Sequence, residues 1–258
     1  MKALSMPNSV SSPSRLESWR IFDRIAKRYD LLNRLLSLGT DVRWRKRMAD
    51  FLPDADGVRL VDLATGTGDQ ALFLCRTCAK IKHATGFDLA ENMLELGRKK
   101  VAESGLGDRV DLRTGDATDI PSEEGVYDAA TISFGIRNVT DVPRALEEML
   151  RVLKPGGRAL ILEFSLPSNP VLRRCYLFYF RHILPRIGAL VSGDASAYRY
   201  LNQTVETFPY GENFCTLMKD AGFTAVKANP LTFGIATIYQ GDASERDADR
   251  GGTEPIAA

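Results

Sequence analysis

The chain is short of the residues that bind metals or cross-link a fold. Its 258 residues hold two histidines, His83 and His182, and four cysteines, Cys75, Cys78, Cys175 and Cys215. So few cysteines in so long a chain do not make a secreted disulfide framework. Cys75-Arg76-Thr77-Cys78 has the C-x-x-C form, but no second pair or histidine cluster accompanies it. It falls in a helical stretch whose apolar face includes Leu72, Phe73 and Cys75, which favours packing over chemistry. No metal site is expected. Uncharged runs fall short of the roughly 20 residues of a membrane span, and the Ser/Pro-rich opening lacks an apolar signal core. A soluble, cytoplasmic protein is therefore expected. Net charge is only +1, so the whole chain has no pull on polyanions and nucleic acid is not an expected partner. The length suits one sizeable core.

What is present centres on Val61-Asp62-Leu63-Ala64-Thr65-Gly66-Thr67-Gly68-Asp69. An apolar run ends in a turn of small residues, and a helical pattern follows from Gln70. Gly66 and Gly68 let a ligand approach the backbone, beside the unpaired N–H groups of a helix start. Gly86-Phe87-Asp88-Leu89 reads as a second strand ending in an acid about twenty residues on, the spacing of a carboxylate that accepts from ribose hydroxyls. Ala71 stands where a dinucleotide fingerprint has its third glycine. Asp62 and Asp69 add negative charge, which opposes a pyrophosphate and suits a sulfonium with its α-amino group. S-adenosylmethionine is the ligand these features favour.

Taken in order, residues 1–17 read as a flexible lead-in. Phe22, Ile25, Ala26, Tyr29, Leu32 and Leu36 then recur at helical spacing. Gly39 ends that helix, and Asp41 is expected to cap a second one carrying Trp44, Met48, Phe51 and Leu52. Strands near 59–63, 84–88, 109–113, 127–133 and 158–163 alternate with helices near 70–80, 90–104 and 141–152, with a turn at Lys154-Pro155-Gly156-Gly157. A helix near 211–221 and strands near 223–228 and 233–240, paired as an antiparallel hairpin, close the chain. This predicts an α/β fold with a doubly wound, mostly parallel sheet of seven strands, N-terminal helices and a helical insertion after the fifth strand. The domain is expected over 18–241, with a cap at 18–57, an insertion at 165–203 and a disordered tail at 242–258. Ligands of such sheets lie at the carboxyl ends of the strands. Asp62, Gly66, Asp88, Asp116 and Ser133 all fall there. Asp116 can accept from an adenine amine while Ala117 leaves room for the ring, or simply close an Asx turn.

Residues 164–193 contain no acidic residue but hold Arg173, Arg174, Arg181 and Arg186 among Leu172, Tyr176, Phe178, Tyr179 and Phe180. Such a segment packs on the sheet with its arginines reaching water, meets anionic headgroups, or walls an apolar tunnel.

Together these residues resemble the class I S-adenosylmethionine-dependent methyltransferases, and more narrowly the ubiquinone/menaquinone biosynthesis C-methyltransferases. Three blocks carry the resemblance: Tyr29-Asp30-Leu31-Leu32-Asn33 through Trp44, Ser133-Phe134-Gly135-Ile136-Arg137-Asn138-Val139, and Arg151-Val152-Leu153-Lys154-Pro155-Gly156-Gly157 through Ser165. Leu184-Pro185-Arg186-Ile187-Gly188 and Tyr198-Arg199-Tyr200-Leu201 also fit. Departures are Leu32 for Met, Asp41 where His is frequent, and Ala64 at the turn's first glycine. The resemblance implies cofactor contacts at Thr67, Asp88, Asp116, Ala117 and Ser133, to which the glycine turn adds Asp62, Gly66 and Gly68. It implies a polyprenylated quinol substrate methylated on a ring carbon, demethylmenaquinol above all, with transient membrane contact. A homo-oligomer is left open. For catalysis Arg137 is expected to stabilise the quinol oxyanion and Asn138 to orient the hydroxyl, the alternative for Arg137 being a loop salt bridge to Asp141. His182 is expected to pack rather than act as a base.

Overall fold

A parallel sheet requires each strand to be followed by a crossover, and the chain provides these with short amphipathic helices except between the third and fourth strands, where residues 115–126 cross without one. In the computed structural model, residues 39–183 and 204–245 are described, with Asp23, Arg34, Ser37 and Arg186. Apart from those isolated residues, the expected helix over 22–36 and the motif at 184–188 lie outside the described residues, as do the tyrosines at 198 and 200, the lead-in and most of the tail.

Helix α1 (Asp41–Met48) precedes β1 (Val58–Leu63), α2 (Asp69–Thr77), β2 (Ile81–Asp88), α3 (Glu91–Glu103), β3 (Val110–Thr114), β4 (Tyr127–Ser133), α4 (Val142–Val152) and β5 (Leu153–Phe164). Helix α5 (Pro170–Phe178) runs into a wide turn at Tyr179–Ile183, and α6 (Glu212–Asp220), β6 (Thr224–Leu231) and β7 (Ala236–Asp242) end the fold. The sheet order is β3-β2-β1-β4-β5-β7-β6. The first five strands are parallel, and β7 runs antiparallel to both β5 and β6. The order therefore reverses between β1 and β4, which brings Leu63, Asp88 and Ser133 to one crevice.

Each face of the sheet has its own core. On one, Leu60, Ala84 and Leu160 meet α1 and α2 through Met48, Leu72 and Leu74. On the other, Val61, Ile132 and Ile161 meet α4 and α6 through Leu146, Met149 and Met218. Cys75 lies in the first core at 1 % exposure, and burial lifts its thiol pKa to about 11, so it packs as expected.

Local differences have identifiable causes. Strand β5 starts five residues early: Tyr127 pairs with Leu153 but Ala129 with Arg158, so the Pro-Gly-Gly turn is a bulge inside the strand. Thr40, not Asp41, is the N-cap of α1, without a side-chain bond. Asp41 is instead buried and accepts from Ser37 Oγ at 2.6 Å. Asp141 caps α4 by accepting from the Arg144 amide. Gly39, at φ +75°, donates its N–H to Arg34 O, the turn of a helix end. Among the described residues no helix is long and apolar enough to cross a membrane.

The switch point is tight. Ala64 and Phe134, at the ends of β1 and β4, both take positive φ, 47° and 58°. A Cβ on Gly135 would lie 2.5 Å from that of Ala64. We expect Gly135→Ala to lower stability by about 1–3 kcal/mol through this overlap, read as a lower urea midpoint; an unchanged midpoint would show that the crevice floor yields.

Candidate active site

The loop after β1 is held from beneath. Asp62, 1 % exposed, accepts from Thr65 Oγ1 and from Thr131 Oγ1 of β4, each at 2.6 Å. Desolvation raises its pKa to about 6 against the pull of those two bonds. Asp62 therefore shapes the loop, its two oxygens turned to threonines. Gly66 and Gly68 take φ of 58° and 77°, the left-handed region that glycine enters freely. A side chain at Gly68 would also press on Leu112, 3.0 Å away.

Asp88 closes the loop from the side. Its Oδ2 accepts from the Gly66 amide at 2.8 Å and its Oδ1 from the Ala90 amide at 2.9 Å. Burial raises its pKa while these amide bonds lower it. The Leu89 amide adds to them, and a carboxylate has about four lone-pair sites, so these amides do not use up its capacity to accept. Thr67 is arranged differently: its hydroxyl accepts from Lys100 Nζ of α3 at 2.8 Å, and the same ammonium bonds Asp69 Oδ1 at 2.8 Å. The charge expected of Asp69 is thus matched by Lys100, and the negative character of the loop rests on Asp62 and Asp88.

At β3, Asp116 Oδ1 accepts from both the amide and the hydroxyl of Thr118, at 2.8 and 2.9 Å. This is the Asx turn, with Ala117 buried beside it at 9 % exposure. At β4, Ser133 Oγ donates to Gln70 Oε1 at 3.2 Å. Gln70 in turn meets α1 through Arg45, whose NH1 lies 3.5 Å from the same oxygen. Arg45 sits 5.4 Å from the centre of the Phe134 ring, and its buried Nε has no hydrogen-bond partner among the described residues. It makes no ion pair among them. Gln70 and Arg45 belong to the crevice although their sequence context is that of ordinary helix residues.

Arg137 is not a free loop cation, nor is it paired with Asp141. It is 3 % exposed, and its NH1 donates to Phe134 O at 2.8 Å and to Glu163 Oε1 at 2.5 Å. Its guanidinium carbon stands 5.4 Å over the Phe164 ring. Glu163, at the end of β5, is 1 % exposed and also accepts from the Phe164 amide. Burial raises the Glu163 pKa, opposed chiefly by the Arg137 charge. Arg137 Nε and Glu163 Oε2 remain buried and unbonded among the described residues. Among the described residues the pair thus has one donor and one acceptor without a hydrogen-bond partner. Glu163 went unassigned in the sequence reading; its signal was a lone acid closing the apolar run Leu160-Ile161-Leu162. Asn138 is half-buried, with Nδ2 3.5 Å from Phe134 O. His182 is exposed rather than packed, its ring 5.1 Å from that of Phe178. His83 lies within β2.

Trp44, Phe134 and Phe164 form an aromatic cluster beside the pair, with centroids 4.6 to 6.1 Å apart. Beyond Trp44 opens a cavity of about 310 Å³ lined by Leu172, Tyr176, Tyr179, Phe233 and Ile235 among others. Tyr176 lines this cavity and lies near enough to Arg137 and Glu163 to feel both charges.

A seven-stranded sheet of this order, with a glycine turn after β1 and an acid ending β2, defines a class I S-adenosylmethionine-dependent methyltransferase. The fold is that of a Thermotoga maritima S-adenosylmethionine-dependent methyltransferase, with a TM-score of 0.61 at 24% identity over 88% of this chain and 100% of that one. The family description "ubiE/COQ5 methyltransferase family" matches residues 12–242, and the chain belongs to that family. It is 47% identical to ubiquinone/menaquinone biosynthesis C-methyltransferase UbiE of Geobacter sulfurreducens over 86% of each chain. It is 46% identical to demethylmenaquinone methyltransferase of Thermus thermophilus over 86% of this chain and 99% of that relative. S-adenosylmethionine is its methyl donor.

Breaking a buried pair strands a charge. We expect Arg137→Ala to cost about 3–5 kcal/mol near neutral pH. Without the arginine, the Glu163 pKa rises further above its unfolded value, so the variant's deficit grows as pH rises and shrinks as pH falls. Urea denaturation at pH 5 and pH 8 checks this; an equal deficit at both would show that Glu163 has found another partner.

Proposed function

We propose that the protein C-methylates a polyprenylated quinol, converting demethylmenaquinol to menaquinol, with the equivalent benzoquinol step as a second activity. The observation that carries this reading is the aromatic-walled apolar cavity next to the Arg137–Glu163 pair, which suits a prenylated ring better than a polar metabolite. The names of the relatives point to the same substrates.

Asp88 accepts from the ribose through the lone-pair capacity that its amide bonds leave over. Asp116 and Ala117 border the adenine, and Gly66, Thr67 and Gly68 bring main chain against the cofactor. Ser133 and Asp62 shape the methionine end, where Arg45 is the cation available to its carboxylate. The donor set fits the cofactor: acceptors meet the hydroxyls, negative charge faces the sulfonium side, and the Arg45 guanidinium faces the anion. Bound there, S-adenosylmethionine supplies an electrophilic methyl group on sulfur.

The ring carbon becomes nucleophilic when the neighbouring hydroxyl ionises, and a phenol has a pKa of about 10. Arg137 and Asn138 are the catalytic residues of this reading. Glu163 Oε2 is an acceptor for the hydroxyl proton, and Arg137 Nε–H a donor to the resulting oxyanion. Tyr176 stands between this pair and the cavity, and its own phenol is held protonated by burial, so it orients the ring rather than removing a proton. Exposed Val171 and Phe178, 69 % and 60 %, lie beside Arg173 and Arg174 on α5. They support transient contact with an anionic membrane from the cytoplasmic side, where a lipid-soluble quinol is met. The near-neutral chain favours no nucleic acid.

Labelled S-adenosylmethionine should pass its methyl to reduced demethylmenaquinone, and more slowly to a demethylated benzoquinol. Label appearing only in bulk RNA offered in parallel would overturn the reading. Arg45→Met should weaken S-adenosylhomocysteine binding by roughly 10- to 100-fold, the worth of one charge-assisted bond. It should leave 5′-methylthioadenosine, which lacks the amino-acid end, bound as before by calorimetry. Equal weakening of both would remove Arg45 from the carboxylate.

A further inference from the structure

The turn joining β6 to β7 carries two energetic penalties that the fold does not explain. Thr232, Phe233 and Gly234 all take positive φ, 45°, 58° and 90°. For a β-branched threonine and a bulky phenylalanine this is disfavoured backbone. Phe233 is also 79 % exposed, so its ring lies in water while its backbone is strained. The turn is nonetheless firmly held. Trp44 Nε1 donates to Thr232 Oγ1 at 2.8 Å, and Ser165 Oγ donates to Gly234 O at 2.8 Å. Ser165 N donates to Ile235 O at 2.9 Å. The tryptophan that anchors the turn is the one that packs on Phe134 and Phe164 beside the buried ion pair.

Phe233 and Thr232 line the cavity that Trp44 borders, opposite Leu172 and Tyr176 of α5. Its volume of about 310 Å³ lies at the lower limit for small-molecule sites. It has room for a ring and the first part of a tail, and a polyprenyl chain has to leave through the mouth. Exposed Phe233 and Leu172, the latter 42 % exposed, are large apolar groups of the cavity wall that continue its surface outward.

We propose that the Thr232–Gly234 turn is a rigid lip over which the substrate's isoprenoid tail runs, and that Phe233 is the residue that discriminates between long and short tails. The proposal rests on the quinol reading above. Strain and exposure at Phe233 then have a shared cause. The left-handed turn points a ring where a regular hairpin residue would not, and the tail covers that ring when substrate is bound.

The test is Phe233→Asn, because asparagine tolerates positive φ and removes the apolar ring. Two demethylated naphthoquinols are offered in mixed micelles, one with a single isoprene unit and one with a long tail. The kcat/KM ratio of long to short tail is expected to fall about five- to tenfold, as loss of part of a phenylalanine contact requires, through KM for the long tail. The melting temperature is expected to hold or rise as strain is relieved, and S-adenosylhomocysteine affinity to stay as it was. An unaltered ratio, or equal loss on both substrates with a lower melting temperature, overturns the lip while leaving quinol methylation standing. Failure of the unsubstituted protein to methylate either quinol overturns both.

Discussion

The carboxylate of Asp62 joins the two strands between which the sheet order reverses. Thr131 on β4 is its register partner across from β1 and donates to one of its oxygens, while Thr65 in the loop donates to the other. This fixes where the loop leaves the strand, and so where Gly66 meets Asp88 and where the crevice opens. A buried acid held by two hydroxyls is a costly way to shape a loop, since desolvation outweighs both bonds in its pKa. The cost is bearable because the alternative, an unbonded carboxylate at the same depth, is worse.

The opposite side of the crevice is governed by a second desolvated charge. Arg137 and Glu163 are both buried, with the guanidinium over the Phe164 ring, where their attraction is strong. Each has one polar atom without a hydrogen-bond partner among the described residues. An interior evolved for stability alone would be better served by apolar residues in both places. A polar pair of this kind next to an apolar cavity is understandable where a hydroxyl is to be bound, ionised and held as an anion. The positive φ of Phe134 belongs to the same arrangement: it turns the Phe134 carbonyl to Arg137 and its ring to Trp44.

Much of this was legible in the sequence, because local pattern and chemistry coincide along the parallel strands. Asp62, Asp88 and Ser133 lie at the carboxyl ends of their strands, and Gly66 and Asp116 in the loops that follow, as the pattern predicts. What was not legible depends on register. The Pro-Gly-Gly turn reads as a boundary in one dimension, yet the pairing of Tyr127 with Leu153 makes it a bulge. Glu163 becomes the partner of Arg137 only because β5 lies beside β4 with Leu162 opposite Ser133, which no helical or strand period encodes. Asp41 reads as a cap by residue type, but a neighbouring serine claims its side chain. The four arginines of the insertion read as one cationic face, although Arg181 is paired with Glu206 from a distant stretch.

Trp44 shows how these separate constraints become one site. Its ring edge meets Phe164 at an interplanar angle of 87°, its face borders the cavity, and its indole N–H holds the strained Thr232 turn. A single side chain of α1 thus touches the ion-pair wall, the apolar pocket and the β6–β7 turn. An indole can do this because it combines a large apolar surface with one directed donor; a phenylalanine would keep the stacking and lose the turn. The wall beside the ion pair and the rim of the cavity are therefore coupled through one residue. Helix α1 is joined to both by the same contacts that seal the core.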